Sequence, residues 1–231
     1  MSKFFIPANR PEDWASLLAE PSKHWRTGYS AKALAYCWQE AKGFPAEVKK
    51  VFRDSGIPLF KNVKMLMGFP EYKVSLPGGK RASQSDIFIL AKGDGQLISI
   101  TVEGKVDEPF GEVVSEWKLN DMGGKKDRLA FLCDELGVNS ATVDNIHYQL
   151  LHRTVSAIIE AQNFSAPIAL MLVHAFKNTK EKYDESFHAY CEFLNLFGKK
   201  GKENIIVSAG KSGSVDLYVG WVEGNGRYLG V

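Results

Sequence analysis

The chain has 231 residues, of which 45% are hydrophobic and 24% are charged, and its 29 basic and 27 acidic residues leave a net charge of +2. These values are ordinary for a globular protein, and they exclude a disordered chain and a chain that binds nucleic acid through net charge alone. No run of 18 apolar residues is present and the first residues lack a signal-peptide pattern, so we expect no membrane span and no leader. The three cysteines form no CxxC pair, which argues against a zinc ribbon or disulfide scaffold and fits a cytoplasmic protein.

The chain begins with an irregular arm followed by two predicted helices. Residues 1–29 form the arm, with a short helix near Pro11–Glu20. Helix Ser30–Lys42 follows, because Ser30 can cap its start and apolar residues recur along it at helical spacing. A second helical segment covers Ala46–Asp54.

Three strands are predicted next. The first, Lys64–Leu76, contains Gly68 and Pro70, which we expect to bend or interrupt it. Strands Asp86–Ala91 and Leu97–Lys105 follow a Pro-Gly-Gly turn, and all three strands can pair as an antiparallel meander.

The rest of the chain alternates predicted helices and strands. In order, we expect a loop at 107–124, helices Lys125–Leu136 and Val143–Gln162, strand Pro167–Phe176, helix Asp184–Phe197 and a hairpin turning at Gly210–Gly213. The segment PIALMLVHAF is almost wholly apolar, which is typical of a strand covered on both faces and reached by a helical crossover. This order predicts one α/β domain over 1–231, with its core at about 30–176 and an added helix and hairpin at 177–231.

The turn between the second and third strands predicts their register. Asp94-Gly95 suits a two-residue hairpin turn, so cross-strand partners should have residue numbers that sum to 189. Asp86 then lies opposite Glu103, and Lys105 points to the same face as Glu103. A slip of one residue would send Asp86 to the other face.

Two directly opposed carboxylates repel each other, so this pairing needs compensation. A divalent cation bound by both Asp86 and Glu103 is one answer, and an ion pair with Lys105 is another; the two are compatible. The alternative is that these residues only flank the strands and point into water.

The same residues resemble a known signature. Asp86, sixteen intervening residues and Glu103-Gly104-Lys105 resemble the PD-(D/E)xK motif of the restriction-endonuclease-like superfamily, and the segments around them look like an uncharacterised bacterial branch of it. The superfamily's core order of helix, three-strand meander, helix and strand matches the predicted elements from about residue 30 to 176. Ser85 replaces the signature proline.

The resemblance implies a site. Asp86, Glu103 and the carbonyl of Gly104 would bind Mg2+, or Mn2+ in its place, and Lys105 would position or activate the attacking water. Glu40 on the first helix would match the catalytic glutamate that many members carry there, with Glu47 as a competitor for that role.

Several other polar residues are candidates for substrate binding. Gln149 and Arg153 are four apart and share one helix face, and Gln84 lies on the same strand face as Asp86; an exposed polar surface is the alternative for each. His147 and His152 are five apart and make a poor metal pair, while His174 ends an apolar strand and is expected to be a satisfied core-edge histidine. The acidic residues after the motif, among them Glu108, could supplement the site or form a solvated loop.

The sequence therefore predicts a metal-dependent nuclease that hydrolyses phosphodiester bonds, with DNA favoured over RNA. Local basic clusters could face phosphates, although solvated surface is the simpler interpretation of them. They are Lys49, Lys50 and Arg53; Lys80 and Arg81; Lys125, Lys126 and Arg128; and Lys199, Lys200 and Lys202. The alternative is a non-catalytic module of the same fold that binds nucleic acid or a protein partner. The resemblance also allows a homodimer.

Overall fold

A computed structural model describes residues 8–119 and 123–231. Its centre is one six-stranded mixed sheet in the order β1-β2-β3-β4-β6-β5. The strands are β1 Lys64–Val74, β2 Ser83–Gly93, β3 Gln96–Lys105, β4 Ile168–Phe176, β5 Ile205–Ser212 and β6 Val215–Gly224. The first three form an antiparallel meander, β4 is parallel to both β3 and β6, and β5 is antiparallel to β6.

Helices cover both faces of this sheet. They are α1 Pro21–His24, α2 Ser30–Ala41, α3 Ala46–Asp54, α4 Val114–Lys118, α5 Lys125–Leu136, α6 Tyr148–Asn163 and α7 Lys180–Asn195, with 3-10 segments at Pro11–Leu17, Pro58–Phe60, Ser140–Thr142 and Gly226–Gly230. Residues of α2 and α3 pack in one apolar cluster and residues of α5, α6 and α7 in another. In the described parts of the chain, no helix combines the length and apolar character needed to cross a membrane.

Strand β4 separates the two cores. All nine of its residues are buried, and its alternate residues contribute to opposite clusters, for example Leu170 to one and Met171 to the other. The predicted two-sided burial of this strand is therefore confirmed, as is the α/β class with a helical crossover into a central strand.

The predicted hairpin register is confirmed. β2 and β3 pair from Ile87 with Val102 to Gly93 with Gln96, which is the register in which partner numbers sum to 189. Asp94 and Gly95 both have positive φ, at 46° and 79°, as a two-residue turn between twisted antiparallel strands requires.

Two predicted segments differ from the structure. Helix α6 begins at Tyr148 and not at Val143, because the backbone before it bonds to the segment at 112–115, including a Val114 N–H bond to the Ile146 carbonyl. The predicted loop at 107–124 contains α4. Positions 1–7 and 120–122, which the predicted arm and loop include, lie outside the described residues.

The predicted irregularities of two strands differ in position from the observed ones. β1 keeps its pairing with β2 through Gly68 and Pro70 as an edge strand, where proline is tolerated, and its register shift lies between Met65 and Met67. The backbone is nonetheless irregular directly after Pro70, where Glu71 has φ +52°. The C-terminal hairpin turns after Ser212, which pairs with Val215, and Gly210 instead follows a register shift inside β5.

The turn between β1 and β2 lies directly against the start of α5. A Cβ added to Gly78 would lie 2.1 Å from the Gly124 carbonyl oxygen and 2.7 Å from the Arg128 backbone nitrogen. Gly78 also has φ +71°. Only glycine permits this approach, which fixes the turn on the helix.

We expect Gly78→Ala to destabilise the fold far more than a glycine replacement without a close neighbour. Gly28 is the matched control, because it has φ +82° and no atom within 4 Å of an added Cβ. Gly28→Ala should lower the free energy of unfolding by about 1 kcal/mol, from the left-handed backbone alone. Gly78→Ala should lower it by at least about 3 kcal/mol, because a clash with backbone is added. Urea unfolding measures both, and equal losses would contradict the close approach.

Candidate functional site

The candidate site lies where β2 and β3 stop pairing. The last backbone pair between the two strands is Ile87 with Val102. Beyond it, the Asp86 side chain bonds to β3 in place of the backbone: its Oδ2 accepts a hydrogen bond of 2.7 Å from the Gly104 backbone N–H. A Cβ on Gly104 would lie 3.2 Å from that oxygen and 3.3 Å from Leu34 Cδ2. The glycine of the motif therefore lets the Asp86 carboxylate approach the β3 backbone.

Glu103 and Lys105 are both buried, at 3% and 4% exposure, and they form an ion pair. Lys105 Nζ donates hydrogen bonds of 2.8 Å to Glu103 Oε1 and 3.0 Å to Gln149 Oε1. Gln149 Nε2 donates to Glu103 Oε1 at 2.6 Å, and Arg153 Nε donates to Glu103 Oε2 at 2.6 Å. Burial alone would raise the pKa of Glu103, but the charges of Lys105 and Arg153 and their hydrogen bonds hold it below its usual range.

A third carboxylate, which the sequence analysis missed, joins this group from the neighbouring strand. Glu71 lies between Pro70 and Tyr72, which pair with Ile87 and Ser85, so it lies across from Asp86. Its φ is +52°, a strained value for a residue other than glycine, and Gln84 Nε2 donates a hydrogen bond of 2.8 Å to its Oε2. The β1–β2 register that brings Glu71 opposite Asp86 holds from Met67 to Val74, and the shift between Met65 and Met67 alters only the pairs before it. This register was not predicted from the sequence.

The carboxylates of Glu71 and Asp86 are hard to ionise. Burial raises the pKa of Glu71 to about 7. Burial, and then the negative charges of Glu103 and Glu71, raise the pKa of Asp86 well above its usual range. A site with these properties suits a cation, which would remove the repulsion.

These side chains line one cleft of about 500 Å³. Predicted site residues line it together: Gln84, Asp86, Glu103, Lys105, Gln149 and Arg153, and also Glu108 from the acidic segment after the motif. Gly104 contributes the N–H that binds Asp86. The helix face shared by Gln149 and Arg153 is therefore turned toward the cleft and is not an exposed polar surface.

Glu40 is not brought to this cleft. It is exposed near the C-terminal end of α2 and accepts hydrogen bonds of 2.9 Å from Arg227 Nη2 and from the Tyr228 hydroxyl. The cleft is lined by the opposite end of the same helix, at Ser30 and Ala31, and ten residues of helix span about 15 Å. The prediction that Glu40 supplies the helix glutamate of this site is therefore wrong.

Glu108 has a structural contact that replaces a predicted cap. Its Oε1 accepts hydrogen bonds from the Ser30 backbone N–H at 2.8 Å and the Ser30 hydroxyl at 2.9 Å, and its Oε2 accepts one from the Val106 N–H. Ser30 is thus the first residue of α2 and not its cap. A carboxylate here also complements the positive end of the helix dipole.

His152 forms part of the cleft wall. Its Nδ1 lies 2.8 Å from Ser83 Oγ and 3.3 Å from Arg153 Nη1. Because arginine can only donate, Nδ1 is the acceptor and the ring proton lies on Nε2. Burial, and then the charges of Arg153, Arg128 and Lys105, lower the pKa of His152 well below its usual value. Sequence analysis had considered this histidine only as a poor metal partner of His147.

A different group has the spacing of metal ligands. Within the described chain, Cys37, Glu47 and His174 are the three candidate ligands whose atoms lie within 4.8 Å of one another. Trp38 Nε1 donates a hydrogen bond of 3.0 Å to His174 Nδ1, which leaves the ring proton on Nε2, 3.5 Å from Glu47 Oε1. A protonated Nε2 is not a metal ligand, so the donor set does not fit a cation.

The high pKa of Glu71 predicts how stability depends on pH when no divalent cation is bound. Its folded-state value of about 7 exceeds the ordinary 4.5, so its contribution is fully present below pH 4.5 and is lost as the pH rises through 7, by up to about 3 kcal/mol. The raised pKa of Asp86 also makes the folded state more stable at low pH than at high pH. The lowered pKa of His152 has the opposite effect, since it destabilises the folded state as the pH falls below 6.5, the ordinary pKa of histidine. Glu71→Gln should therefore gain stability over wild type between pH 4.5 and 8 in urea unfolding with EDTA. If the free energy of unfolding of Glu71→Gln and that of wild type change with pH in parallel, the prediction is wrong.

Comparison with known proteins places the chain in a family. No curated protein and no solved structure matches it. The family described as "Domain of unknown function (DUF6946)" matches residues 7–226. Because the match spans nearly the whole chain, this protein belongs to the DUF6946 family.

Proposed function

We propose that this protein is a metal-dependent nuclease with a restriction-endonuclease-like core, which hydrolyses phosphodiester bonds and prefers DNA to RNA. The observation that carries the proposal is the Asp86–Gly104 hydrogen bond at the mouth of the β2–β3 hairpin. This hydrogen bond holds the Asp86 carboxylate next to the strand that carries Glu103 and Lys105, so that all three side chains lie in one cleft. Their order along the chain is that of the PD-(D/E)xK motif.

The carboxylates of the cleft fit Mg2+ or Mn2+. Asp86 Oδ1 and Glu71 Oε1 have no hydrogen-bond partner among residues 8–119 and 123–231, while the other oxygen of each is bonded. Burial and mutual repulsion keep both groups poorly ionised, and a divalent cation would reverse this. Mg2+ commonly takes only one or two protein carboxylates, together with waters and phosphate oxygens. Asp86 and Glu71 would thus hold the ion. The motif also predicts Glu103 and the Gly104 carbonyl as ligands, but both Glu103 oxygens already accept hydrogen bonds, and the oxygens of Glu71, Asp86 and Glu103 do not all lie within 4.8 Å of one another.

The basic side chains of the cleft support phosphate chemistry. A bound Mg2+ would act as a Lewis acid on a phosphate oxygen and lower the pKa of a water molecule. Lys105 is held by Glu103 and Gln149, and its Nζ lies 4.7 Å from the centre of the Phe110 ring. Fixed in this way, its ammonium can orient the attacking water and stabilise negative charge that develops on the phosphate.

One observation favours a second candidate, a non-catalytic module that binds nucleic acid or a protein partner. Both oxygens of Glu103 are already engaged, by Lys105 and Gln149 on one side and Arg153 on the other. The same hydrogen bonds from Lys105, Gln149 and Arg153 to Glu103 would be expected if these residues only stabilised the fold. Metal binding and cleavage distinguish the two candidates.

We expect the wild-type protein to bind Mg2+ or Mn2+ in calorimetry and to cleave DNA only when one of these ions is present. Asp86→Asn and Lys105→Ala should each lower the cleavage rate by at least about 100-fold, since the first removes a ligand of the ion and the second removes the ammonium that stabilises charge on the phosphate. Asp86→Asn and Glu71→Gln should also abolish the calorimetric signal. Glu40→Gln is the matched control and should retain both properties, because Glu40 bonds to Arg227 outside the cleft.

Two results would overturn the proposal. Undiminished cleavage by Asp86→Asn, Glu103→Gln and Lys105→Ala alike would place the activity elsewhere. Wild-type protein that binds DNA in a salt-dependent manner, but neither binds the ions nor cleaves, would establish the non-catalytic module.

A further inference from the structure

A second cavity, of about 290 Å³, adjoins the cleft. Trp117, Tyr148 and His152 line both spaces, so one opens beside the other. The second cavity is bounded further by Arg81 and Arg128. The Trp117 and Tyr148 rings stack with their centres 4.0 Å apart, which gives the shared wall a fixed shape.

Arg128 brings a buried positive charge to this cavity. The sequence groups it with Lys125 and Lys126 as surface, but its exposure is only 7%. Its Nε donates to the Pro77 carbonyl at 2.8 Å, and its Nη2 donates to the Leu76 and Gly79 carbonyls at 3.3 and 3.0 Å. None of these bonds uses Nη1.

The charge of Arg128 has no anionic counterpart among the residues that the structure describes. Over residues 8–119 and 123–231, no carboxylate forms an ion pair with it. Backbone carbonyls satisfy N–H donors but do not neutralise a cation, and buried charges are ordinarily paired. A buried guanidinium of this kind favours an anion in the adjoining cavity.

A buried hydroxyl lies beside it. Tyr148 Oη is shielded from solvent, and no group in the described chain accepts a hydrogen bond from it. Tyr148 and Arg128 line the same cavity. Burial raises the pKa of Tyr148, while hydrogen bonding by the Arg128 guanidinium and its charge oppose this. Because arginine can only donate, the Tyr148 O–H remains an unused donor that a bound oxyanion would satisfy.

Among the described residues that line the second cavity there are two arginines and no carboxylate. Arg128 is buried without an ion pair in the described chain, and Arg81 is exposed at the edge of the cavity. His152 adds an Nε2–H donor, since its Nδ1 accepts from its neighbours. Fixed donors with an excess of positive charge suit a phosphate group.

We propose that this second cavity is a phosphate subsite, which holds another phosphate of the nucleic-acid strand while the phosphate to be cleaved lies at Asp86 and Lys105. This inference rests on the proposed function, because it places the strand across both spaces. Arg128 and Tyr148 would contact the phosphate from inside the cavity and Arg81 from its edge.

Binding of a fluorescent DNA oligonucleotide in EDTA tests the subsite without cleavage. Arg81→Gln should weaken the dissociation constant by about 3- to 10-fold and reduce the salt-dependence slope by about one, as the loss of one phosphate contact does. Tyr148→Phe should weaken binding while leaving the melting temperature unchanged or higher. Lys200→Gln is the matched control, because Lys200 is exposed and lines neither the cleft nor the cavity.

A methylphosphonate scan then locates the phosphate. At one position of the oligonucleotide, replacing the phosphate by a neutral methylphosphonate should weaken wild-type binding as much as Arg81→Gln does. The Arg81→Gln variant should lose no further affinity when the phosphate at that position is replaced, because both changes remove the same contact. The Lys200→Gln variant should respond to that position as wild type does.

The contrary results are equally specific. The subsite is refuted if Arg81→Gln binds the oligonucleotide with the same dissociation constant as Lys200→Gln. It is also refuted if the losses from Arg81→Gln and from a methylphosphonate add at every scanned position. If inorganic phosphate raises the melting temperature of wild type but not of Arg81→Gln, while the scan shows no coupling, the cavity binds free phosphate and the strand subsite is wrong. Cleavage assays on wild type decide the nuclease proposal separately, so a coupled scan without cleavage leaves the subsite standing.

Discussion

The structure depends on a polar contact between β3 and α6. Ser99, Thr101 and Glu103 alternate along one face of β3, and all three bond to α6: Ser99 to the Ala157 carbonyl, Thr101 to the Arg153 carbonyl and Glu103 to the Arg153 side chain. Burying a carboxylate without a counter-charge would be strongly unfavourable, so Glu103 needs the cations that surround it. The requirement fixes how α6 lies on the sheet, and it brings Gln149, His152 and Arg153 to the cleft.

Opposite charges are separated across this cleft. Glu71 and Asp86 stand on the β1–β2 side, where burial and repulsion hinder their ionisation. Lys105 and Arg153 lie on the wall formed by β3 and α6, and Arg128 lies in the adjoining cavity. A ligand that carries a divalent cation at one end and phosphate oxygens at the other would satisfy both sides. This arrangement suits a phosphodiester better than a neutral or purely cationic ligand.

Much of the fold could be predicted because it depends on local patterns. The two-residue turn at Asp94-Gly95 determined the β2–β3 register, and the apolar run of β4 determined its central place. Errors arose where non-local bonds override local preference. The segment before Tyr148 pairs with residues near Val113 and so delays α6, and Glu108 takes the capping role expected of Ser30.

The sequence by itself determined the β2–β3 register, with Glu103 and Lys105 on one face, because side-chain alternation and a two-residue turn leave little freedom. It also marked Gln149 and Arg153 as one helix face, but it could not tell that this face meets Glu103. Only the tertiary structure decided that Glu71 joins the carboxylates, that Glu40 lies elsewhere, and that Arg128 is buried without a carboxylate partner in the described chain. The physical reason is that these outcomes depend on how β1 pairs with β2 and on how helices pack, which follow from contacts between residues distant in the chain.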